Sequence, residues 1–363
     1  MNRLRFQREL SPEWKADVLV VDGRYFPAGT ALDGCAAAPD ASFAWKRRWQ
    51  KVCRGVRVVT TLARHPAAVL HAHEHGTLFY AWFWRVVLRR RVVWDPHDMY
   101  LRTTTHDRQV HRATWKRRWE RVLIRCGTPI AVVSEGMRTL YARSFPEARI
   151  ELLRSFPSGD EERESDVDAL IRRRAEAGGG KLRLVYPGLI LRTRIETEFL
   201  EAVSRSSHLT LDLYGLDPAG RYDRELEDWV RAHAVGNVRL RGPYAPQELP
   251  GILAAYHFAV LPFVIDSENM DYCMPNKFYQ CMAALLPVVV SEMEDLGREV
   301  RTYDLGYVFR PGDYAGAVSR LEALAPGDTG YRDRLLAVRN YRETRMNRGE
   351  EQSILESLYR NPA

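Results

Sequence analysis

The chain has little lysine, few cysteines and no long apolar run, and each shortage excludes a class of protein. Only six of its 54 basic residues are lysine, so the net charge of +7 comes from arginine. Such a skew is more typical of codon bias than of a nucleic-acid-binding surface. The five cysteines are scattered and odd in number. That pattern favours a reducing compartment and argues against a disulfide scaffold or a structural zinc site.

Targeting and membrane-spanning segments are also missing from the sequence. The first ten residues hold no apolar core of the length that a signal peptide has. No stretch approaches the ~18 apolar residues that a transmembrane helix needs. We therefore expect a cytoplasmic protein, and association with the inner face of the membrane stays open.

Short β-branched runs alternate with amphipathic stretches in both halves of the chain, which predicts parallel sheets with crossover helices. With 363 residues, the chain is long enough for two such domains. Predicted strands cover residues 17–21, 56–60, 69–73, 92–95, 130–133, 149–153, 182–186, 209–214, 238–241, 258–262, 288–291 and 307–309. Predicted helices cover residues 43–53, 78–89, 111–125, 135–145, 196–204, 221–234, 246–255, 277–285, 313–324 and 331–359.

The change in composition near the middle of the chain predicts the domain boundaries. We place the first domain at residues 1–156 and the second at residues 182–328. Residues 157–181 are polar and end in three glycines, so we interpret them as a linker that contains a short helix. A long, charged final helix lies within residues 329–363.

Residues 271–290 form the most informative segment, because they predict a loop, a helix and a buried strand in quick succession. Asn276 is a suitable N-cap for a helix that starts at Lys277. Lys277 and Gln280 lie one turn apart, close enough to hold one ligand. A helix N-terminus with a lysine beside it favours a phosphate group. The alternative is a core helix of an ordinary α/β domain.

This segment resembles the donor-binding motif of the retaining GT-B glycosyltransferases, the family 4-like glycosyl transferases group 1. The resemblance implies an α/β GT-B fold, with two Rossmann-like, doubly wound domains that face each other across a cleft. The first domain would bind the acceptor and the second the nucleotide sugar. Asn276, Lys277 and Gln280 would then hold the ribose and diphosphate, and the final helix would pack back on the first domain.

Two other segments resemble donor-binding elements of the family. The strand and loop near residues 184–194 imply that Gly188, Arg192 and Arg194 bind the diphosphate, since arginine clamps two phosphate oxygens at once. Ser134 and Glu135 match a Ser-Glu element near the donor. Together with Lys277, these arginines would neutralise the charge of the leaving nucleoside diphosphate, a task that a metal ion performs in many other glycosyltransferases. We expect no metal and no cofactor besides the nucleotide sugar, with UDP favoured over GDP; two solvated arginines are the alternative.

Histidines and an aspartate follow two strands of the first domain, at the end where α/β folds place ligands. The resemblance implies that His73 donates a hydrogen bond to sugar or acceptor hydroxyls. Asp95 and His97 are candidates to position or deprotonate the acceptor hydroxyl. For the alternating histidines 71, 73 and 75, strand-end packing is the second interpretation and metal binding the third. For Asp95 and His97 the alternative is an Asx turn.

Tryptophan and arginine cluster in the first third of the chain. Eight of the nine tryptophans lie in the first 119 residues, mostly within 43–49, 79–85 and 115–119. This combination suits a lipid headgroup layer and predicts a peripheral membrane contact. Such a contact fits a saccharide acceptor carried on a lipid. Core packing of tryptophan is an alternative, and no recognisable module supports a nucleic-acid partner.

Three positions depart from the family pattern and keep a second class of function open. Gln280, Leu285 and Leu189 stand where the family has glutamate, glycine and arginine. Our first expectation is a hexosyltransferase-type enzyme that moves a sugar from a nucleotide sugar to a hydroxyl of a saccharide, free or lipid-linked. It would act without metal and with retention of configuration. The alternative is a catalytically degenerate relative that binds a nucleotide sugar or a partner without turnover.

Overall fold

The chain divides into two compact units, each with its own parallel sheet. The computed structural model describes residues 59–60, 69–74, 76–97, 114–157, 166–217, 220–233, 235–325 and 328–360. One unit comprises Met1–Arg154 together with Gly349–Ala363, and the other comprises Ser155–Arg348. The strand predicted at 17–21 and the helix predicted at 43–53 lie outside the described residues.

The first unit contains a four-stranded parallel sheet in the order β1-β2-β3-β4. Its strands are β1 Leu70–His73, β2 Val92–Asp95, β3 Ile130–Val132 and β4 Ile150–Leu152. Its helices are α1 Leu78–Trp82, which continues into a π-helical turn Phe83–Val87, then α2 Thr114–Arg125, α3 Glu135–Ser144 and α13 Arg348–Arg360. Strands β2 and β3 are buried at every residue, as expected of a parallel sheet covered on both faces.

The last helix of the chain belongs to the first unit. Leu355 and Leu358 of α13 pack with residues of three strand regions of this unit, namely Val93, Ala131 and Leu153. Burial of these apolar side chains holds α13 against the sheet. The single final helix predicted at 331–359 is two helices. The first, α12, spans Thr329–Arg345, helical geometry is interrupted at Met346, and α13 follows. Asn347 and Gly349 lie at this break and were the available signal, but the long run of charged residues on both sides favoured one helix.

Two other predictions in the first unit need correction. Val59 and Thr60, at the end of the strand predicted at 56–60, are helical. Their β-branched side chains favour strands only weakly, and tertiary context overrides that preference. The helix predicted at 78–89 changes to π geometry after Trp82, where the Leu88 amide donates to the Phe83 carbonyl five residues earlier.

The second unit contains a six-stranded parallel sheet in the order β10-β9-β8-β5-β6-β7. Its strands are β5 Leu182–Pro187, β6 Leu209–Tyr214, β7 Val238–Gly242, β8 Phe258–Leu261, β9 Val288–Ser291 and β10 Gly306–Phe309. Read from β7, this is the Rossmann order 3-2-1-4-5-6. The strand order reverses between β5 and β8, which are direct neighbours in the sheet.

Helices cover the sheet of the second unit. They are α4 Val167–Gly178, α5 Thr197–Ser204, α6 Tyr222–Ala232, α7 Leu249–Ala254, α8 Glu268–Asp271, α9 Asn276–Ala283, α10 Glu294–Thr302, α11 Tyr314–Glu322 and α12 Thr329–Arg345. The sequence did not predict α8 and α10. Both are short, with four and nine residues, and begin with acidic residues. Among the described helices, none has both the length and the hydropathy that crossing a bilayer requires.

Helix α4 corrects the prediction of a linker at residues 157–181. Asp166 caps its start by accepting from the amides of Asp168 and Ala169, and Gly179 ends it in the left-handed conformation. The helix is part of the second unit, because Val167, Leu170 and Arg174 lie on one buried face. The polar composition concealed this face, since one of its three members is an arginine.

Arg174 is fully buried and ties α4 to three other helices, α7, α9 and α12. Its guanidinium donates to the carbonyl of Ala254, the last residue of α7, at 3.1 Å. The same group donates to the Ala284 and Leu285 carbonyls after α9, at 3.3 and 3.0 Å. It also donates to the Tyr331 hydroxyl at 3.0 Å. A cation at the C-termini of helices is favoured by their dipoles.

We expect Arg174→Met to lower the free energy of unfolding by about 3 kcal/mol, because it leaves buried carbonyl groups without donors. The matched control is Arg172→Met, on the exposed side of the same helix, which should change stability by less than about 0.5 kcal/mol. Chemical denaturation of both variants measures the difference. Equal stability of the two variants would contradict the capping role.

Candidate functional site

The candidate site of the second unit lies where its strand order reverses. In open α/β sheets, ligands bind beyond the carboxyl ends of the strands at this point. Gly188 follows β5 directly, and Phe263 comes two residues after β8. Helix α9, which connects β8 to β9, starts at the same edge of the sheet. The fold therefore brings the ends of three segments together.

Helix α9 begins one residue earlier than predicted. Pro275 is the N-cap, in extended conformation, and Asn276 is the first helical residue and is exposed. The proposed capping bond from Asn276 is absent, because Pro275 already occupies the capping position. Lys277 thus lies in the first turn, where the helix dipole favours anions. Gln280 follows one turn later and is partly buried.

The Lys277 side chain lies against aromatic rings. Its amino group donates to the Tyr186 hydroxyl at 2.9 Å and lies 4.2 Å from the centre of the Tyr186 ring. The Phe263 ring centre is 5.3 Å away. Burial, followed by repulsion from Arg194, lowers the pKa of Lys277 to about 7.

Arg194 brings a second positive charge to the same ring. Its guanidinium lies 5.0 Å from the centre of the Phe263 ring and contacts the Met270 sulfur at 3.4 Å. Phe263 is fully buried and therefore fixed. Two basic side chains, Lys277 and Arg194, therefore lie around one buried ring.

Two glycines make this arrangement possible. Gly188 has φ +127°, and a Cβ added there would lie 2.4 Å from Lys277 Cε and 2.6 Å from Nζ. Gly215, after β6, has φ +141°, and its added Cβ would lie 1.7 Å from the Gly188 carbonyl oxygen. Both backbones therefore need glycine, and the absence of side chains lets Lys277 approach the main chain.

The other predicted donor residues lie in different surroundings. Arg192 pairs with Glu225 and lies over the Tyr222 ring at 4.8 Å, with an exposed side chain. Leu285 is fully buried and has φ +50°, so it adopts the left-handed conformation that the family's glycine would favour. This conformation costs a non-glycine residue roughly 1–2 kcal/mol.

Ser134 and Glu135, in the first unit, have local structural partners. The Ser134 hydroxyl caps α3 by accepting from the Met137 amide at 3.2 Å. Glu135 pairs with Arg138 at 2.7 Å on the exposed surface of the same helix. Their contact with a donor stays a prediction.

In the first unit, three histidines surround one carboxylate oxygen. Strands β1 and β2 pair so that His73 lies opposite Asp95. The Oδ2 atom of the fully buried Asp95 lies 3.1 Å from His73 Nδ1, 3.4 Å from His71 Nε2 and 3.3 Å from His97 Nε2. His73 and His97 also contact each other at 3.2 Å. The structure thus brings together the three predicted residues His73, Asp95 and His97.

The cluster also includes a residue from the last helix of the chain. The Tyr359 hydroxyl of α13 lies 2.7 Å from His71 Nδ1. The His71 and His73 rings are stacked, with centres 4.3 Å apart and planes inclined by 7°. His71, His73 and Asp95 are spaced closely enough to consider a metal ion. Parallel rings direct their in-plane lone pairs along separate planes, however, which disfavours one ion shared by both. His75 lies outside the described residues.

The sequence pattern missed three residues of these sites. Tyr186 and Phe263 lie at strand ends beside residues that the pattern did single out, so position relative to the sheet edge was an available signal. Tyr359 had no such signal, because it reaches His71 from 288 positions away in the sequence.

We expect Gly188→Ala to weaken binding of inorganic pyrophosphate by at least about tenfold, or 1.4 kcal/mol. The new methyl group would displace the Lys277 amino group and would strain a backbone of positive φ. Gly236→Ala is the matched control, because a Cβ there meets no atom within 4 Å. Calorimetric titration of both variants makes the comparison, and equal affinities would show that the close approach is unimportant.

Comparison with known proteins shows what this chain is similar to. The family model for glycosyl transferases group 1 matches residues 191–325. Anabaena HepE in complex with UDP superposes with a TM-score of 0.65 at 15% identity, over 84% of this chain and 81% of that one. Sucrose-phosphate synthase from Thermosynechococcus elongatus superposes with a TM-score of 0.61 at 18% identity, over 88% of this chain and 82% of that one.

A further solved structure has a similar fold. WaaG, a glycosyltransferase involved in lipopolysaccharide biosynthesis, gives a TM-score of 0.58 at 13% identity, over 87% of this chain and 84% of that one. No curated protein matches the chain. The α/β fold with two Rossmann-like domains, predicted from the sequence, is confirmed. The chain has the GT-B fold, and residues 191–325 match the model of the glycosyl transferases group 1.

Proposed function

We propose that this protein transfers a sugar, expected to be a hexose, from a UDP-sugar to a hydroxyl group of a saccharide acceptor. The observation that carries the proposal is the pair Lys277 and Arg194, which converge on Phe263 at the switch point of the second sheet. UDP is favoured over GDP because solved structures of Anabaena HepE contain UDP and UDP-glucose. The acceptor is a saccharide, free or carried on a lipid.

In the proposed reaction, the leaving group is the nucleoside diphosphate. The bond between the anomeric carbon and the β-phosphate oxygen breaks, and negative charge develops on the diphosphate. Lys277, Arg194 and the N-terminus of α9 stabilise this charge, so that no metal is needed. The acceptor oxygen bonds to the anomeric carbon, and its proton passes to a base or to the departing phosphate. Retention of configuration is part of the proposal, as the family resemblance implies.

The histidine cluster of the first unit serves the acceptor in this proposal. His73 donates a hydrogen bond to a sugar or acceptor hydroxyl. Asp95 and His97 orient the acceptor hydroxyl or receive its proton. Asp95 is buried within the cluster, so it acts chiefly by holding His73 and His97 in place.

We expect Lys277→Met and Arg194→Met each to weaken UDP binding by at least about tenfold, because each removes a charge that faces the diphosphate. Arg192→Met is the matched control and should change affinity by less than about threefold. It removes the same charge from the same loop, but its partner is Glu225. Calorimetry without added metal measures the three affinities.

The outcomes of this titration separate the candidate functions. Binding of UDP, GDP and dTDP with no selectivity would contradict the choice of UDP. Selective binding of UDP without hydrolysis or transfer of UDP-sugars would favour the catalytically degenerate relative. No binding of any nucleotide, or equal effects of all three substitutions, would overturn the donor site.

We expect Asp95→Asn to lower the rate of sugar transfer by about 10²-fold or more while the affinity for UDP stays unchanged. The amide loses the charge that holds three imidazoles, and general acid–base groups contribute on this scale. Tyr359→Phe removes only the hydroxyl beside His71 and should lower the rate by less than about tenfold. Initial rates and UDP titrations of both variants provide the check; a full rate in Asp95→Asn would exclude the cluster from the reaction.

A further inference from the structure

An exposed surface of the first unit combines apolar side chains with arginine. It is formed by α1 with its π-helical turn and by α2, which pack against each other. We name it the arginine–aromatic face. Its members are Phe79, Trp82, Phe83, Val87, Leu88, Trp119 and Val122, with the exposed arginines 89, 90, 91, 118, 121 and 125.

Several large apolar side chains of this face are exposed. Phe79 is 43% exposed, Val87 50%, Leu88 39% and Val122 42%. The Trp119 ring stacks on Trp82 at 5.2 Å and lies 5.3 Å from Phe79, which joins the two helices. Large exposed apolar side chains gathered in one place mark an interaction surface.

The π-helical turn contributes to the shape of this face. Because the Leu88 amide bonds to the Phe83 carbonyl, the turn is wider than an α-helical one. Residues Phe79, Phe83 and Val87 then follow one another along one side of the helix. Arg85 donates to the Cys126 carbonyl at 2.9 Å and so ties the turn to the end of α2. Single π-turns of this kind occur frequently at functional sites.

The charge on the face has one sign. Among the described side chains of residues 76–94 and 117–127, the only acid is Glu120. Glu120 is fully buried and accepts from the Trp94 indole at 3.0 Å and the Tyr141 hydroxyl at 2.7 Å. Its charge is thus directed inward, and the exposed charges of the face are all arginines. This surface is complementary to an anionic partner.

We propose that the arginine–aromatic face docks on the surface of a bilayer that contains anionic phospholipids. Tryptophan and phenylalanine rings suit the boundary between headgroups and acyl chains, and arginine suits the phosphates above it. Exposed aliphatic residues favour a bilayer over a nucleic acid. Val87, Leu88 and Val122 offer no stacking surface to a base, but they gain by burial among acyl chains.

The reason for membrane docking rests on the proposed function, which includes an acceptor carried on a lipid. A saccharide acceptor carried on a lipid is fixed in a membrane, so a docked enzyme meets it in two dimensions. The nucleotide site lies in the other unit of the chain, and its residues are separate from those of the face. Docking and nucleotide binding can therefore be tested separately.

The test is co-sedimentation of the full chain with vesicles. One set contains equal parts of phosphatidylcholine and phosphatidylglycerol, and the other contains phosphatidylcholine alone. We expect binding to the anionic vesicles that decreases with added salt, and at least about tenfold weaker binding to the neutral ones.

Two variants of the face locate the contact. Val87→Asp combined with Leu88→Asp places acids at the exposed apolar positions. Arg89→Gln, Arg90→Gln and Arg121→Gln remove three exposed charges. Each variant should bind anionic vesicles at least about tenfold more weakly. Arg205→Gln, Arg231→Gln and Arg239→Gln, at exposed positions of the second unit, change the net charge equally and should leave binding within about twofold.

The remaining outcomes would overturn the proposal. No binding to anionic vesicles would do so, as would equal binding by the face variants and the charge control. Light scattering that shows a dimer broken by Val87→Asp and Leu88→Asp, without vesicle binding, would assign the face to a second copy of the chain. Preferential binding of a single-stranded oligonucleotide would assign it to nucleic acid. Titration of each variant with UDP reports on the donor site, so failure of the proposed function is recognised separately.

Discussion

The close approach of Lys277 to the backbone at Gly188 is the constraint on which the candidate donor site depends. A lysine amino group is usually solvated or paired with a carboxylate. Here it lies against two aromatic rings and beside Arg194, and its pKa falls to about 7. That arrangement costs free energy. An anion at the same place would lower the cost, which is why we propose a negatively charged ligand for this site.

The opposite end of helix α9 shows how the fold maintains this approach. Lys277 is in the first turn. At the other end, Arg342 donates to the carbonyl of Ala283, the last helical residue, and Arg174 donates to the next two carbonyls. Both arginines are buried, and each comes from a different helix. The charges at the two ends have different tasks. At the C-terminal end, Arg174 and Arg342 are permanently charged and donate to carbonyl groups. At the N-terminal end, the charge of Lys277 depends on its surroundings, because its pKa is lowered to about 7.

Much of the fold was predictable, because the two halves alternate β-branched runs with amphipathic helices. This pattern predicted where the strands end. It therefore also predicted that Gly188, His73 and Asp95 lie at strand ends and that Lys277 lies at a helix start. The predictions that failed depended on distant partners. The short helix predicted within the linker at 157–181 is α4, but it belongs to the second unit, because Arg174 is buried against carbonyl groups about 80 and 110 positions away.

Specific side-chain contacts were the least predictable part of the sites. Arg192 and Arg194 are two residues apart in one loop, and the sequence predicted the same role for both. In the structure, Arg192 pairs with Glu225, whereas Arg194 packs over the Phe263 ring. Leu285 departs from the family's glycine, yet its backbone keeps the left-handed conformation. Its buried side chain offsets the strain. A departure in residue type at this position therefore leaves the backbone geometry intact.

The most direct test of this account is the number of protons taken up when UDP binds. Calorimetry in two buffers of different ionisation enthalpy gives that number, at a pH about one unit above the Lys277 pKa of about 7. Most Lys277 amino groups are then neutral, and a bound diphosphate raises their pKa, so the account predicts uptake of about one proton and none in Lys277→Met. Binding of UDP without proton uptake, or with equal uptake in Lys277→Met, would contradict it.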